Sequence, residues 1–338
     1  MFKNLYKYDA MKRAEHEAVR KAAGWYYFTH QLLEVTGTDA AAFLDKMFAK
    51  PVANLDPGGA RYTTMLSEEG LIMDDVVVFR WEKNKFWVST LYLRKMVPWF
   101  DAHKGTAKVE YRDITESWDM YAVQGPKSRD LLNALVEKKI DDQKFFTIRD
   151  NSIDGIPVKV SRTGFSGEKL GYEIYMAPES RKKIEEKLDT QSKALGAKHV
   201  EEFQIMVWTL PTEKGLYLMT DIGRLTPFEA GLDRGIDWSR DFIGKEALEK
   251  LRGKKPKRAI LGYVLDEDDV HIEARDKGGP GAKVILKGEE VGRVLKHTYG
   301  YTCDKSIGYV LVDSSKAKIG DRVILNDYQA TLTERVFI

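Results

Sequence analysis

The chain has 338 residues, of which 31% are charged and 43% hydrophobic, and 54 basic against 52 acidic side chains leave a formal net charge of +2. This length permits two or three domains around a sizeable core, and the balanced charge argues against a nucleic-acid partner. Cys303 is the only cysteine and the six histidines have no metal-ligand spacing, so the sequence predicts neither an internal disulfide nor a metal site.

Neither a membrane span nor an export signal is indicated. No stretch approaches the ~20 apolar residues that a membrane span needs, and residues 1–8 lack the apolar region of a signal peptide. We therefore expect a cytoplasmic protein with no membrane partner. The phosphate-binding loop, the glycine-rich dinucleotide fingerprint and the G-x-S-x-G nucleophile motif are absent as well.

The first part of the chain predicts a helix and then a strand–helix–strand–strand–helix unit. The helix is expected over residues 8–23, with Asp9 as a possible N-cap and Gly24 as its end. The segment that follows contains this unit and one strand more, with strands over residues 25–35, 62–66, 72–81 and 86–90 and helices over residues 38–49 and 94–103.

The same order of elements recurs in the second part of the chain. Residues 35–44, Val-Thr-Gly-Thr-Asp-Ala-Ala-Ala-Phe-Leu, correspond to residues 123–132, Val-Gln-Gly-Pro-Lys-Ser-Arg-Asp-Leu-Leu. Both predict a strand that ends in glycine and leads into a helix. An internal repeat of this kind indicates two similar modules with a site between them. The element order is typical of the ferredoxin-like arrangement, so we predict an α+β protein with two ferredoxin-like lobes.

The last part of the chain has a different pattern. From residue 258 onward, short apolar runs recur about every ten residues with turn signals between them, which is typical of an all-β barrel. The basic linker over residues 252–257 indicates a domain boundary. We therefore predict a first lobe over residues 1–110, a second lobe with a connecting segment over residues 111–251, and a C-terminal β-barrel over residues 252–338.

Two acidic residues, Asp74 and Asp75, stand inside an apolar run between Ile72 and Val78. Burying a carboxylate costs free energy unless it has a partner or a task. In a strand only one of the two can face a given side, and a buried one could steer a cation or hold a nitrogen that carries a proton. The alternative is that one of the acids caps a turn at the end of a strand.

Glu173 follows a loop that contains Gly164, Gly167 and Gly171, and it is flanked by aromatic residues such as Tyr172. Glycines spaced this closely indicate a tight loop or the close approach of a backbone or a ligand. A carboxylate beside aromatic faces suits a planar heterocycle with adjacent N–H donors, such as a pterin or guanine. The alternative is an exposed glutamate on a strand.

Taken in order, these segments resemble the aminomethyltransferase family, whose founder is the T-protein of the glycine cleavage system. The resemblance extends over almost the whole chain, although no one motif decides it. The matching segments are residues 15–20, 24, 29–30, 62–66, 70–75, 122–126, 164–173, 213–215 and 241–248. The resemblance implies two ferredoxin-like lobes and a C-terminal barrel around a central folate channel, which agrees with the repeat and with the all-β tail.

The resemblance also implies a cofactor, tetrahydrofolate, and roles for particular residues. Glu173 would hydrogen-bond the pterin, Phe165 would stand where the family often has tyrosine, and Tyr62 would line the pocket. Asp74 matches the family's catalytic aspartate near the folate N5, where it would orient the amine and stabilise positive charge. Asp75 would face away as a structural partner.

The remaining candidate residues are assigned by the same resemblance and by composition. Tyr62 is also a candidate for catalytic proton transfer beside Asp74. Ser89 stands where the family usually has asparagine. Ser89 and Tyr172 are the remaining candidates for contact with the cofactor. The candidates for contact with the substrate are Trp25, Tyr27 and His30. For the aromatic cluster around Trp25, plain core packing is the alternative.

The sequence departs from the T-protein pattern in ways that bear on the substrate. That pattern has an arginine-rich helix start before the position of Glu213, whereas residues 205–212 here, Ile-Met-Val-Trp-Thr-Leu-Pro-Thr, contain no arginine. The loop before Glu173 is also longer. Residues 258–270 and 298–306 are similar to the aromatic O-demethylase branch of the family.

We therefore expect a tetrahydrofolate-dependent one-carbon transferase that demethylates a small O-, N- or S-methyl compound onto folate N5. One alternative is a glycine cleavage T-protein, an aminomethyltransferase that acts on a lipoyl carrier protein. Another is a non-catalytic folate-binding protein, although such relatives have a reactive cysteine in a K-G-C motif and Cys303 lies in Tyr-Thr-Cys-Asp-Lys. The expected partner is thus a small methylated substrate or a lipoyl carrier protein.

Overall fold

The computed structural model describes residues 7–28 and 30–338. Residues 1–6 and Thr29, which belong to the predicted N-terminal segment and to one matching segment, lie outside the described residues. Helix α1 spans Ala10–Lys21, and the Asp9 carboxylate accepts a hydrogen bond from the Lys12 amide at 3.1 Å. This bond confirms the predicted N-cap, because it satisfies an N–H group that a helix start leaves unpaired.

The strand predicted over residues 25–35 is in fact two strands. Strand β1 (Gly24–Tyr27) and strand β2 (Gln31–Thr36) belong to different sheets. The apolar run carries no turn signal between them, so the sequence pattern could not show where the chain passes from one sheet to the other. The part of the chain before residue 110 therefore contributes strands to the sheets of both lobes. The predicted domain ranges stay predictions.

The first lobe is an antiparallel sheet with two helices on one face. Its helices, α2 (Ala40–Met47) and α3 (Leu93–Lys104), bury Phe43 and Phe100 against the sheet. The further strands are β3 (Ala60–Leu66), β4 (Ile72–Glu82), β5 (Lys85–Thr90) and β6 (Glu110–Asp113), and the order across the sheet is β3-β4-β5-β2-β6.

The second lobe repeats this plan with one added strand from the start of the chain. Its strands are β7 (Asp119–Gln124), β8 (Ile148–Ile153), β9 (Ile156–Ser161), β10 (Gly171–Met176) and β11 (Lys198–His199), in the order β11-β1-β7-β10-β9-β8. Helices α4 (Ser128–Asn133) and α5 (Arg181–Leu195) cover one face of this sheet through Leu132 and Leu188.

The backbone conformation explains why both copies of the repeat have a glycine at the end of the strand. Gly37 and Gly125 have φ angles of 128° and 121°, in the region that favours glycine. A Cβ atom on Gly37 would lie 2.2 Å from the Lys108 carbonyl oxygen, and one on Gly125 would lie 2.3 Å from the Val19 carbonyl oxygen. Each strand-to-helix turn therefore requires glycine for two reasons.

A connecting segment joins the lobes to the barrel. It contains a π-helix (Ile205–Thr209) and short helices α6 (Leu210–Glu213), α7 (Met219–Ile222), α8 (Pro227–Ala230) and α9 (Lys245–Glu249). Single 3-10 turns lie at Thr115–Ser117, Pro178–Ser180 and Arg275–Lys277. No helix among the described residues is both long and apolar enough to cross a membrane.

The C-terminal part is a closed six-stranded barrel, as the spacing of apolar runs predicted. The strands are β12 (Arg258–Leu265), β13 (Lys283–Leu286), β14 (Glu289–Gly300), β15 (Lys305–Asp313), β16 (Arg322–Leu325) and β17 (Tyr328–Thr333), closed in the order β12-β15-β14-β13-β16-β17. The predicted fold class, two α+β lobes and an all-β barrel, is confirmed.

The two lobes pack against each other through the sheet faces that the helices leave uncovered. Because side chains alternate along a strand, each sheet offers one row to its helices and the other row to the partner lobe. Leu32, Phe79 and Trp87 of the first sheet meet Ala122 and Tyr175 of the second in one buried cluster. A site between the lobes must therefore be built from this second row.

Glu213 joins α1, the connecting segment and the barrel. Its Oε2 atom lies 2.9 Å from His16 Nε2 and accepts a hydrogen bond from Arg20 Nη2 at 2.7 Å. The Thr302 hydroxyl donates to the same oxygen at 2.7 Å, and the Thr302 amide donates to Oε1 at 2.8 Å. Burial alone would raise the pKa of Glu213, but its hydrogen bond and ionic pairing with His16, together with Arg20, lower it to about 2.

Glu213→Ala should destabilise the protein by about 3 kcal/mol at pH 7, because it leaves buried donors and a cation without their partner. The pKa of Glu213 is lower when folded than its ordinary 4.5, so its stabilisation is complete above pH ~4.5 and is lost as the pH falls towards about 2. Urea unfolding at pH 7 and pH 3 measures both effects. Glu246→Ala, at an exposed position on α9, is the control, and equal midpoints for the two variants would contradict this role of Glu213.

Candidate functional site

The two acids of strand β4 lie on opposite faces of the first sheet. Asp74 is fully buried on the helix-covered face, opposite Met65, and its Oδ2 atom accepts a hydrogen bond from the Thr90 hydroxyl at 2.5 Å. Its Oδ1 atom has no hydrogen-bond partner among the described residues. Burial raises the pKa of Asp74 to about 7, and the like charge of Asp75 adds to this.

Asp75 lies on the face that meets the second lobe. The Tyr62 hydroxyl donates a hydrogen bond to Asp75 Oδ2 at 3.0 Å. Tyr62 is opposite Val77, which in turn is opposite Ser89, so these side chains share one face. Burial raises the pKa of Asp75 to about 6, while the hydrogen bond from Tyr62 works in the other direction.

The expected orientation of the two acids is therefore reversed. Asp75 was expected to face away from the site, but alternation along β4 turns Asp74 towards the helices and Asp75 towards the second lobe. A bulge at Met73 explains why the run of residues did not show this, because it inserts one extra residue before the pair and resets the alternation.

Glu173 lies on the facing row of the second lobe. It is buried on strand β10, and its Oε2 atom accepts hydrogen bonds from Thr163 Oγ1 at 2.8 Å and from the Tyr175 hydroxyl at 2.9 Å. Burial raises the pKa of Glu173, and these two donors oppose that rise. Tyr175 packs into the cluster between the lobes, and its hydroxyl also interacts with Ser89. Tyr175 of the second lobe thus contacts the row of the first lobe that also carries Tyr62.

Two further predicted residues join this region. Phe165 packs on Phe28 with ring centres 4.7 Å apart, and both rings contact the cluster between the lobes. His30 is buried beside Tyr175, with ring centres 5.3 Å apart, and its Nε2 atom has no hydrogen-bond partner among the described residues. Burial lowers the pKa of His30 to about 4, so its ring is neutral at physiological pH.

Three predicted site residues lie elsewhere. Tyr172 is on the helix-covered face of β10, in the core of the second lobe. Trp25 is in the same core, where its indole N–H donates to Ser192 Oγ at 2.9 Å, and Tyr27 bonds Asp119 at the edge of that core at 2.7 Å. The structure does not bring these three to Glu173, because alternation along β1 and β10 turns them away from the first lobe.

A groove of about 770 Å³ opens on the Asp74 side of the first lobe. Its lining includes Met73, Tyr92, Lys95, Trp99, Met219 and Arg224, and it does not include Tyr62 or Glu173. Asp74 is close enough for the charge of Lys95 to oppose the rise in its pKa. Neither Asp74 nor Asp75 is among the lining residues, so the groove reaches the start of β4 at Met73 but not the acidic pair itself.

The structure also brings in residues that sequence reasoning missed. Tyr175 could have been predicted, since it follows Glu173 by two positions in the same strand and must share its face. Thr163 and Lys296 carry no sequence signal that assigns them to the site, and Asp221, in the segment Asp-Ile-Gly, is in the sequence a loop motif with a packing explanation. They come from a loop, from the connecting segment and from the barrel, and only tertiary packing brings them near.

The comparison with family models decides the relationship. Residues 2–240 match the GCVT N-terminal domain, and residues 269–338 match the glycine cleavage T-protein C-terminal barrel domain. The chain belongs to the glycine cleavage T-protein family. Its relatives include the aminomethyltransferase of Bacillus cytotoxicus (strain DSM 22905 / CIP 110041 / 391-98 / NVH 391-98), 34% identical over 327 residues, which cover 92% of this chain and 84% of the relative.

A second relative agrees with this membership, and a solved structure shares the fold. The aminomethyltransferase of Thermoanaerobacter sp. (strain X514) is 32% identical over 319 residues, which cover 92% of this chain and 83% of that protein. The crystal structure of the glycine cleavage system aminomethyltransferase T from Bartonella henselae superposes with a TM-score of 0.84 at 21% identity and covers 97% of this chain and 89% of that one. At that identity the superposition shows the fold alone.

Membership of the T-protein family confirms the predicted cofactor, tetrahydrofolate, and makes the protein a folate-dependent transferase. The expected demethylase branch and the cytoplasmic location stay predictions. Between the lobes, Glu173 is a buried acceptor, and the His30 Nε2 atom beside Tyr175 has no hydrogen-bond partner among the described residues, which is the polar chemistry that a folate head group requires.

Tyr62→Phe should raise the pKa of Asp75 above about 6, because the variant loses the hydroxyl that stabilises the ionised carboxylate. The carboxyl carbon of Asp75 can be followed by 13C NMR in protein labelled at aspartate, with Asp75→Asn used to assign its signal. Tyr111→Phe, on strand β6 away from the pair, should leave this titration unchanged. An Asp75 midpoint that is the same with and without the Tyr62 hydroxyl would rule out this coupling.

Proposed function

We propose that this protein is an aminomethyltransferase that transfers the methylene carbon of an aminomethyl group on a lipoyl carrier protein to tetrahydrofolate, with release of ammonia and of the carrier's free thiol. The proposal depends above all on the relatives named aminomethyltransferase, which are 34% and 32% identical over 92% of the chain. The facing pairs Tyr62–Asp75 and Tyr175–Glu173 support it, because they supply one carboxylate for each end of a folate head group.

Glu173 is the residue that we assign to the pterin. A carboxylate can accept hydrogen bonds from two adjacent N–H groups of a planar ring, and burial strengthens such bonds. The Phe165 and Phe28 rings contact the same cluster and offer apolar faces to the ring. When bound, tetrahydrofolate supplies the amine nitrogens that accept the one-carbon unit.

Asp75 is the residue that we assign to catalysis, in place of Asp74. The Tyr62 hydroxyl donates to its carboxylate, which opposes the rise in pKa caused by burial and fixes the orientation of the carboxylate. A fixed anion in a site with little water stabilises positive charge that develops at the one-carbon donor. Asp74 lies on the groove side, bonded to Thr90, where it can contribute to the charge of the acidic pair without facing the second lobe.

Demethylation of a small methylated compound is the second candidate, and one observation favours it. The T-protein pattern has arginines where this chain has residues 205–212. Here the π-helix Ile205–Thr209 is wholly buried and packs on Tyr299 and Tyr301. Residues 205–212 therefore present no basic side chain that could contact a carrier protein.

A donor assay separates the two candidates. The purified protein is incubated with tetrahydrofolate and either an aminomethyl-loaded lipoyl carrier protein or a panel of O-, N- and S-methyl compounds. Release of ammonia with methylenetetrahydrofolate supports the aminomethyltransferase. Methyltetrahydrofolate formed from a panel member, with no reaction from the carrier protein, supports the demethylase and rejects our first proposal.

Glu173→Gln should weaken tetrahydrofolate binding at least about tenfold, because the amide turns an N–H₂ group towards the N–H donors of the pterin. Isothermal calorimetry gives the dissociation constant. The control is Glu179→Gln in the exposed turn Pro178–Ser180 of the same lobe, which removes the same charge and should bind as the wild type does. Unchanged binding by the Glu173 variant would exclude the pterin role.

Asp75→Asn should lower kcat by about 10²- to 10³-fold, as expected for removal of a fixed charge from a reaction centre. Its dissociation constant for tetrahydrofolate should stay within a few-fold of the wild type. Asp74→Asn is the matched comparison and should lose less activity. If instead the Asp74 variant is inactive and the Asp75 variant is not, the catalytic role belongs to Asp74.

A further inference from the structure

A fully buried ion pair, Lys296 with Asp221, lies where the barrel meets the connecting segment. Both side chains have 0% exposure, and Lys296 Nζ is 2.6 Å from Asp221 Oδ2. The ammonium also lies 4.6 Å from the ring centre of Trp208 and 5.3 Å from that of Tyr309. Within the described part of the chain, Nζ makes no hydrogen bond of good geometry, so this ionic contact compensates its burial.

A bulge in strand β14 brings Lys296 to this place. Val294 pairs with Val310 and Lys296 pairs with Tyr309, so Leu295 is an extra residue in the ladder. Val294 packs inside the barrel, whereas Leu295 and Tyr309 pack in the cluster between the barrel and the lobes. Bulges redirect side chains in this way, and Lys296 consequently reaches the connecting segment.

Asp221 fixes the connecting segment against the first lobe. Its Oδ2 atom accepts a hydrogen bond from the Leu218 amide at 2.8 Å and so caps helix α7. Just after α7, the Ile72 amide donates to the Leu225 carbonyl at 2.8 Å, and the Arg224 amide donates to the Ile72 carbonyl at 2.9 Å. The segment that holds Asp221 is therefore bonded to the start of β4, the strand of the acidic pair.

The two carboxylates influence each other through this arrangement. The negative charge of Asp221 raises the pKa of Asp75. Since like charges in a water-poor region disfavour the ionised form, an unpaired Asp221 would disfavour ionised Asp75 still more. The ammonium of Lys296 is the group placed directly on Asp221 to counter this.

We propose that Lys296 is a positioning residue for the reaction centre, and that its ammonium neutralises Asp221 so that the Asp75 carboxylate beside Tyr62 stays ionised. The effect of Lys296 on catalysis rests on the proposed function. The effect of Lys296 and Asp221 on the ionisation of Asp75 does not. Lys296 acts through Asp221 and is not assigned any contact with substrate.

Several other groups act on the two carboxylates and must be held constant. Among the described residues, the charged and titratable side chains that interact with Asp75 or Asp221 from the packed elements include Tyr62, Asp74, Tyr92, Tyr217, Arg275, Lys296 and Tyr309. The Arg275 guanidinium donates to the carbonyls of Thr220 and Asp221 at 2.8 and 3.1 Å, so it is a second cation near this carboxylate. It is unchanged in every variant below.

The test is a 13C NMR titration of the Asp75 carboxyl in the full chain, which needs neither folate nor a donor. In Lys296→Met the Asp75 midpoint should rise by about one pH unit, because Asp221 loses its counter-charge. The double variant Lys296→Met/Asp221→Asn should return the midpoint to the wild-type position. Asp221→Asn alone should move it down, and Lys283→Met, an exposed lysine of β13, should not move it.

The outcomes separate the possibilities. The proposal is overturned if the Asp75 midpoint in Lys296→Met stays at the wild-type value, or if the double variant does not reverse its rise. The Lys296–Asp221 pair would then have a role in packing only. Where Lys296→Met does not fold, the downward shift in Asp221→Asn decides in the same way. If these shifts occur while the wild type transfers no one-carbon unit from any donor, the proposed function fails and the charge balance stands.

Discussion

A buried carboxylate, Glu213, is the interaction on which the arrangement of the three parts depends. It pairs with His16 and Arg20 of α1 and with Thr302 of the barrel, and it lies at the end of α6 in the connecting segment. Arg20 also pairs with Glu168 in the loop before Glu173. One ionic centre thus holds the barrel, the N-terminal helix and the loop before Glu173 in place relative to each other.

The buried carboxylates of this protein differ in the partners that surround them. Glu213 has cationic partners and a pKa lowered to about 2, which suits a permanent charge with a structural task. Among the described residues, the side chains that donate to Asp75 and Glu173 are hydroxyls, and burial raises the pKa of both carboxyls. Hydroxyl donors orient a carboxylate but leave its charge uncompensated. The uncompensated carboxylates are therefore the ones that can respond to a ligand's N–H groups or to a developing cation.

The barrel contributes to the same centre from a distance. A bulge in β14 places Lys296 on Asp221, and backbone hydrogen bonds join the segment that follows to the start of β4. Asp75 is thus influenced by two other parts of the chain, since Tyr62 of the first lobe donates to it and Asp221 acts on its charge.

The amino-acid sequence by itself determined the duplication, the barrel and the identity of the two acidic segments. These features follow from the periodicity of apolar residues and from turns, such as the one at Gly37, whose backbone only glycine can adopt. It could not decide which acid of the pair faces the second lobe. That depends on the bulge at Met73, a feature of strand pairing rather than of local pattern. Nor could it place Trp25 in a core or Lys296 on Asp221, because such neighbours are set by packing between distant segments.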